Sequence, residues 1–195
     1  FVRTKQTGTS QSCASWGEGK FGVAGIFAGK NGVAVSTDRG FSWKTSDIGT
    51  NSSQYPARYA AFPSDETWFV TAGTWPMDGL TANTHSSYRV SQRLAVEKDS
   101  YSFPSEHKPK RNNVEGSMYF GAVFKTTDGG VTWSQVFTFP DNTYYPNAIH
   151  CADDDNCIFT AENTETSVGY RTTDGGKTWT EMVTEEMTGE GVSLM

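Results

Sequence analysis

Short apolar runs recur along this chain, and three of them end in the same polar turn. Val33-Ala34-Val35, Ala122-Val123-Phe124 and Val168-Gly169-Tyr170 lead into Ser36-Thr37-Asp38-Arg39-Gly40-Phe41-Ser42-Trp43, Thr126-Thr127-Asp128-Gly129-Gly130-Val131-Thr132-Trp133 and Thr172-Thr173-Asp174-Gly175-Gly176-Lys177-Thr178-Trp179. Beyond the tryptophan a further run starts, as in Val136-Phe137-Thr138-Phe139. Segments this short, rich in β-branched and aromatic residues and bounded by Asp/Gly turns, predict strands. Two more such segments precede each turn, one around Cys13, Tyr59 or Ile149 and one around Val23, Val70 or Phe159. Each unit therefore reads as four antiparallel strands, with the polar turn between the third and fourth.

The turn has the form Ser/Thr-x-Asp-x-Gly-x-x-Trp in all three copies. Its Asp is expected to accept backbone N–H groups one or two residues ahead, and its Gly to supply a positive φ. The Trp has a large apolar face to bury, expected between neighbouring units. Asp38, Gly40 and Trp43, Asp128, Gly130 and Trp133, and Asp174, Gly176 and Trp179 are thus read as structural.

The segment from Tyr55 to Ala72 can be laid without gaps on that from Tyr145 to Glu162. In the looser first copy, Cys13 falls opposite Cys151 and Gly19 opposite Cys157. Four strands in about 45 residues is the repeat of a β-propeller blade. Asp128 to Asp174 is 46 residues, one blade, whereas Asp38 to Asp128 is 90. The longer interval reads as one blade with a large insertion, since strand two ends near Gly73 and strand three begins near Met118. The expected organisation is one propeller segment, with blade 1 at about 8–50, blade 2 at about 51–140 carrying an insertion at 75–117, and blade 3 at about 141–190. Three blades do not close a ring, which usually takes about four to eight. The remainder is expected from the same precursor, another chain or a homodimer mate.

The three octapeptides resemble the Asp-box, or BNR repeat, of sialidases, xyloglucan-cleaving glycosidases, sortilin-type receptors and photosystem II assembly factors. The phrase from Ala28 to Asp38 is most similar to the assembly-factor and glycosidase style. The resemblance implies an all-β partial propeller whose boxes lie on the face opposite the binding site. It also implies that the insertion projects from the functional face. Residues 88–96 of that insertion alternate, with Tyr88, Val90, Leu94 and Val96 on one side, so an extra strand or hairpin is expected. Trp75, Asp78, Tyr88, Arg89, Arg93 and His107 are the candidate binding residues there, beside the basic run Lys108-Pro109-Lys110-Arg111.

Composition narrows the function classes. The net charge of −6 argues against general nucleic-acid binding. No apolar run is long enough to span a membrane as a helix. Cys151 and Cys157 flank a turn-like pentapeptide and are read as a disulfide, leaving Cys13 over. Asn51-Ser52-Ser53 is an N-glycosylation acceptor. Together these point to a secreted or other extracytoplasmic location, and the opening Phe1-Val2-Arg3 reads as a mature, trimmed or partial product. The three His residues lack metal-ligand spacing, and Asp153-Asp154-Asp155-Asn156 lacks the Gly and distal Glu of an EF-hand loop, so no metal or cofactor is expected. The arginine cluster and N-terminal signature of sialidases are missing.

The expected function is a non-catalytic binding or scaffold module that presents its insertion to a protein or glycan. The alternative is a glycoside hydrolase, sialidase-like or endoglucanase-like, whose catalytic set is completed outside this chain. Asp78 is then the better-placed carboxylate.

Overall fold

The computed structural model describes residues 8–50, 55–74, 120–139, 144–163 and 167–182. Blade 1 holds β1 (Gly8–Ser15), β2 (Phe21–Phe27), β3 (Lys30–Ser36) and β4 (Lys44–Asp47). Blade 2 holds β5 (Ala57–Ala61), β6 (Trp68–Thr74), β7 (Phe120–Thr126) and β8 (Ser134–Thr138). Blade 3 holds β9 (Tyr145–Cys151), β10 (Cys157–Glu162), β11 (Ser167–Thr172) and β12 (Thr180–Met182). Each is a four-stranded antiparallel meander in sequence order. β6 and β7 pair in unbroken register from Trp68 opposite Thr126 to Thr74 opposite Phe120. The chain therefore leaves blade 2 after Thr74 and re-enters it in phase, so the long interval is one interrupted blade.

Alternation along β6 shows how the blades stack. Trp68, Val70 and Ala72 share a core with Ala24, Val33 and Val35 of blade 1. Phe69 and Val123 point the other way and share a core with Cys157, Phe159 and Ala161 of blade 3. A strand buried on both faces needs apolar residues at successive positions, which is why β6 reads Trp-Phe-Val without a polar break.

The polar turns close differently from expectation. The Asp128 carboxylate reaches further ahead, accepting the N–H groups of Val131 and Thr132 at 3.0 and 2.9 Å and the Thr132 hydroxyl at 2.6 Å. The Thr126 hydroxyl donates to the same carboxylate and accepts the Gly130 N–H at 3.0 Å. Asp38 with Ser36 and Ser42, and Asp174 with Thr172 and Thr178, repeat this lock. Gly40, Gly130 and Gly176 all sit at φ +85°, as a left-handed turn position requires.

The repeat register also needs correcting. The residue after each Asp donates its N–H to a hairpin carbonyl: Arg39 to Gly19, Gly129 to Glu66 and Gly175 to Asp155, at 2.9–3.0 Å. Phe21, Trp68 and Cys157 pair with Ser36, Thr126 and Thr172. These contacts make Phe21, Trp68 and Cys157 equivalent, so the offset between blades 2 and 3 is 89 residues, not 90. The identical Tyr-Pro dipeptides at 55 and 145 pull a gapless alignment one residue out, although Pro56 precedes β5 and Pro146 lies inside β9. Cys13 consequently corresponds to Ile149, not Cys151, whose blade 1 counterpart is Ser15. Cys151 and Cys157 do form a disulfide across the β9–β10 hairpin, and Cys13 is an exposed free thiol.

Two of the three turn tryptophans sit between blades. Trp133 donates its indole N–H to Ser46 Oγ of β4 at 2.8 Å, and that hydroxyl donates to the Gly130 carbonyl. At the next interface Val136 stands where Ser46 would be, and the buried Trp179 indole N–H has no partner among the described residues. Ser46→Ala is expected to lower stability by about 1–3 kcal/mol, because it orphans a second indole. Val136→Thr should stay within about 1 kcal/mol of the parent, the new hydroxyl gaining Trp179 as a donor and offsetting its burial. Urea denaturation of both variants checks the contrast.

Candidate functional site

The first strand of every blade carries a one-residue bulge at the same repeat position. Gln11 is the extra residue between Ser10 and Ser12, Arg58 that between Ala57 and Tyr59, and Asn147 that between Pro146 and Ala148. A bulge re-aims side chains and interrupts pairing, and such features concentrate near working surfaces. All three occupants are polar.

β5 packs against β1, and β9 against β5. The three first strands enclose a cavity of about 530 Å³, lined among others by Cys13, Tyr59, Asn147, His150 and Glu162. Each of these strands is the edge of its sheet, so its outer backbone N–H and C=O groups are outside any ladder. Among the lining residues Glu162 is the one carboxylate.

The bulged residues have unequal surroundings. Arg58 is 7% exposed, and its guanidinium lies 4.1 Å from the centre of the Tyr145 ring of blade 3. It staples blades 2 and 3 by a cation–π contact. Asn147 is half-buried and lines the cavity. Beneath Arg58, the buried Asn31 joins blades 1 and 2, accepting the Ala57 N–H at 2.7 Å and donating to the Tyr55 carbonyl.

The polar turns and the strand one–two hairpins share one end of the blades, through the N–H contacts described above. The bulges lie towards the other end, where the chain departs after Thr74 and returns at Phe120. Trp75, Asp78, Tyr88, Arg89, Arg93 and His107, with the glycosylation candidate Asn51, lie outside the described residues. Sequence reasoning missed the bulge trio. The signal was one polar residue at a fixed point of each first strand, and the one-residue slip in register hid it.

At the end of the blades that holds the polar turns, the carboxylates are tied up in hydrogen bonds. Asp38, Asp128 and Asp174 are each lowered from 3.8 to about 2, first by the hydroxyls of Ser42, Thr132 and Thr178 and then by the N–H groups of the same residues. Asp65 is lowered chiefly by Lys20, which grips it at 2.7 Å from blade 1, and then by the Trp16 indole. Asp154 occupies the equivalent place in blade 3 and accepts the Ser64 and Thr67 hydroxyls of blade 2. Asp153 accepts the N–H groups of Asp155 and Asn156 and the Asn156 amide, closing the hairpin tip on itself while Asp154 reaches blade 2. Among the described residues no group of three or more His, Cys, Asp or Glu side chains is placed to hold a metal.

Comparison with known proteins shows the fold. YCF48 bound to D1 peptide superposes with a TM-score of 0.56, over 94% of this chain and 42% of its own, at 18% identity. The chain has the fold of a partial β-propeller. YCF48 from Cyanidioschyzon merolae gives a TM-score of 0.53 over 93% of this chain and 39% of its own, at 15% identity. A GH74 xyloglucanase from Xanthomonas campestris superposes more loosely, with a TM-score of 0.47, 17% identity and 84% and 19% coverage. This propeller segment thus spans about two fifths of the YCF48 chains it matches. No protein-family model and no curated protein matches it.

The turn carboxylates Asp38, Asp128 and Asp174 set an acid limit. Their folded pKa values lie below the ordinary 3.8, so their stabilisation is full above that pH and is lost as the pH falls towards about 2. The thermal midpoint should drop steeply across that window. Replacing Asp38, Asp128 and Asp174 by Asn together should lower the midpoint at neutral pH and flatten its acid limb, as followed by circular dichroism.

Proposed function

We propose that this propeller segment is a non-catalytic binding module whose inner-strand groove holds a segment of a protein partner. The observation that carries the reading is the meeting of three bulged, edge-exposed first strands around one cavity. N–H and C=O groups that lie outside a ladder along a strand edge suit an extended chain, which can add main-chain hydrogen bonds there. Asn147, His150 and Glu162 offer side-chain donors and acceptors beside those edges. YCF48, of the same fold, has been solved with a peptide bound, which supports a peptide as the ligand class.

In this reading the three locked turns are Asp-boxes and act as frame. The insertion at 75–117 adds partner contacts at the bulge end. The Cys151–Cys157 disulfide favours an oxidising, extracytoplasmic location. Hydrolysis of a glycoside commonly uses two carboxylates flanking the scissile bond, and the groove's lining supplies Glu162 alone.

A random peptide library displayed on phage and selected on the purified chain is expected to yield binders. Asn147→Arg, which fills the cavity, should weaken the selected peptides at least about tenfold, roughly 1.4 kcal/mol. Lys177→Ala on the box turn should leave them unchanged. Cleavage of xyloglucan or a sialoside by the purified chain, lost in Asp78→Asn, would replace this reading with the hydrolase one.

A further inference from the structure

The turn between the third and fourth strands presents one side chain to solvent at a fixed repeat position. It is the residue after the left-handed glycine: Phe41 after Gly40, Val131 after Gly130 and Lys177 after Gly176. Four large apolar side chains are exposed among the described residues, and the two most exposed are Phe41 at 73% and Val131 at 81%. Val131 belongs to blade 2, which has a blade packed on either face. The position therefore faces solvent in a blade with both neighbours present, and the exposure of Phe41 follows from its place in the repeat.

The two tips flank the seam between blades 1 and 2. The Gly130 carbonyl beside Val131 accepts the Ser46 hydroxyl of β4, and Trp133 donates to the same oxygen at 2.8 Å. Both turns are closed from within by Asp38 and Asp128, and neither tip side chain takes part in the closure. A polar residue serves the turn equally well, as Lys177 does in blade 3. An aromatic and a β-branched side chain at matching positions of adjacent blades are thus surplus to the fold. Burial against a partner would remove their apolar surface from water.

The charge around the tips selects the partner. The loops that form this end of the blades, 16–20, 37–43, 62–67, 127–133, 152–156 and 173–179, hold nine carboxylates and three cations. That excess equals the net charge of −6 of the whole chain, so the rest of the chain is balanced and the acidic field sits at this end. Glu66, whose carbonyl accepts the Gly129 N–H, is the exposed carboxylate beside the turn that carries Val131. We propose that the turn end of blades 1 and 2 is a second interaction surface, which docks a basic segment of another protein. Apolar side chains of that segment pack on Phe41 and Val131, and its Lys and Arg side chains meet the surrounding carboxylates. The surface is distinct from the inner-strand groove, whose lining includes neither tip. An anionic lipid surface is disfavoured by the same charge.

Random peptides displayed on phage and selected on the Asn147→Arg chain test this apart from the groove, which that substitution fills. Peptides retained by this chain but not after the further changes Phe41→Ser and Val131→Ser are expected, and they should be rich in Lys and Arg. A synthetic copy of one should bind the parent chain and weaken at least about tenfold with Phe41→Ser or Val131→Ser alone. Glu66→Lys and added salt should weaken it as well. The thermal midpoints of the three single variants should match that of the parent, since the altered side chains face solvent. No such peptides, peptides without basic enrichment, unchanged affinity in the variants, or a loss matched by a fall in midpoint would each overturn the proposal. So would co-sedimentation of the parent chain with phosphatidylserine vesicles that Phe41→Ser abolishes.

Discussion

One carboxylate lock per blade sets most of this structure. In blade 2 the Thr126 hydroxyl bridges the Asp128 carboxylate and the Gly130 N–H, while the far side of the carboxylate holds both N–H and hydroxyl of Thr132. Hydrogen bonds to an ionised acceptor are the stronger kind, and the turn is short enough for one Asp to span it. That closure forces the positive φ at Gly130 and throws Trp133 across to blade 1. It also aims the Gly129 N–H at the Glu66 carbonyl, tying the β7–β8 turn to the β5–β6 hairpin. One end of the blade is thereby fixed, and the other is left to vary.

The interfaces show how variation is absorbed once the lock is in place. Between blades 1 and 2, Trp16 stacks on Phe62, and Trp68 and Trp133 fill the rest, with Ser46 and Asp65 satisfying indole donors. Between blades 2 and 3, Phe137, Phe159, Tyr170 and Trp179 pack edge to face and stacked, and Arg58 covers Tyr145. The backbone frame is the same, but the side chains that fill it differ. Burial, and then Glu181, raise the Tyr170 hydroxyl to about 12.

The strands and the interrupted blade were legible because they rest on local signals. Three boxes mark the third-to-fourth turn, and apolar pairs such as Val70 and Phe124 mark the strands beside it. The exact register was not legible, since Tyr55-Pro56 and Tyr145-Pro146 look equivalent while only the second proline lies in a strand. The bulges at Gln11, Arg58 and Asn147 went unread for the same reason: the one-residue slip sets Arg58 opposite Ala148 and Ala57 opposite Asn147. Nor could spacing show that Asp65 and Asp154 serve the preceding blade. Both read as turn residues, and their partners lie 45 to 90 positions away. The candidate residues of the insertion rest on sequence alone.

Blade 2, which carries the insertion, is held from both sides. Both its faces are buried, with Trp68, Phe69 and Val70 at 6, 0 and 0% exposure. The β6–β7 ladder holds seven paired positions without a slip up to the point where the chain departs. Lengthening a loop between strands already held in register adds little, because the closure cost grows only with the logarithm of loop length. Packing from two sides therefore lets a long segment leave at the bulge end without disturbing the groove beside it.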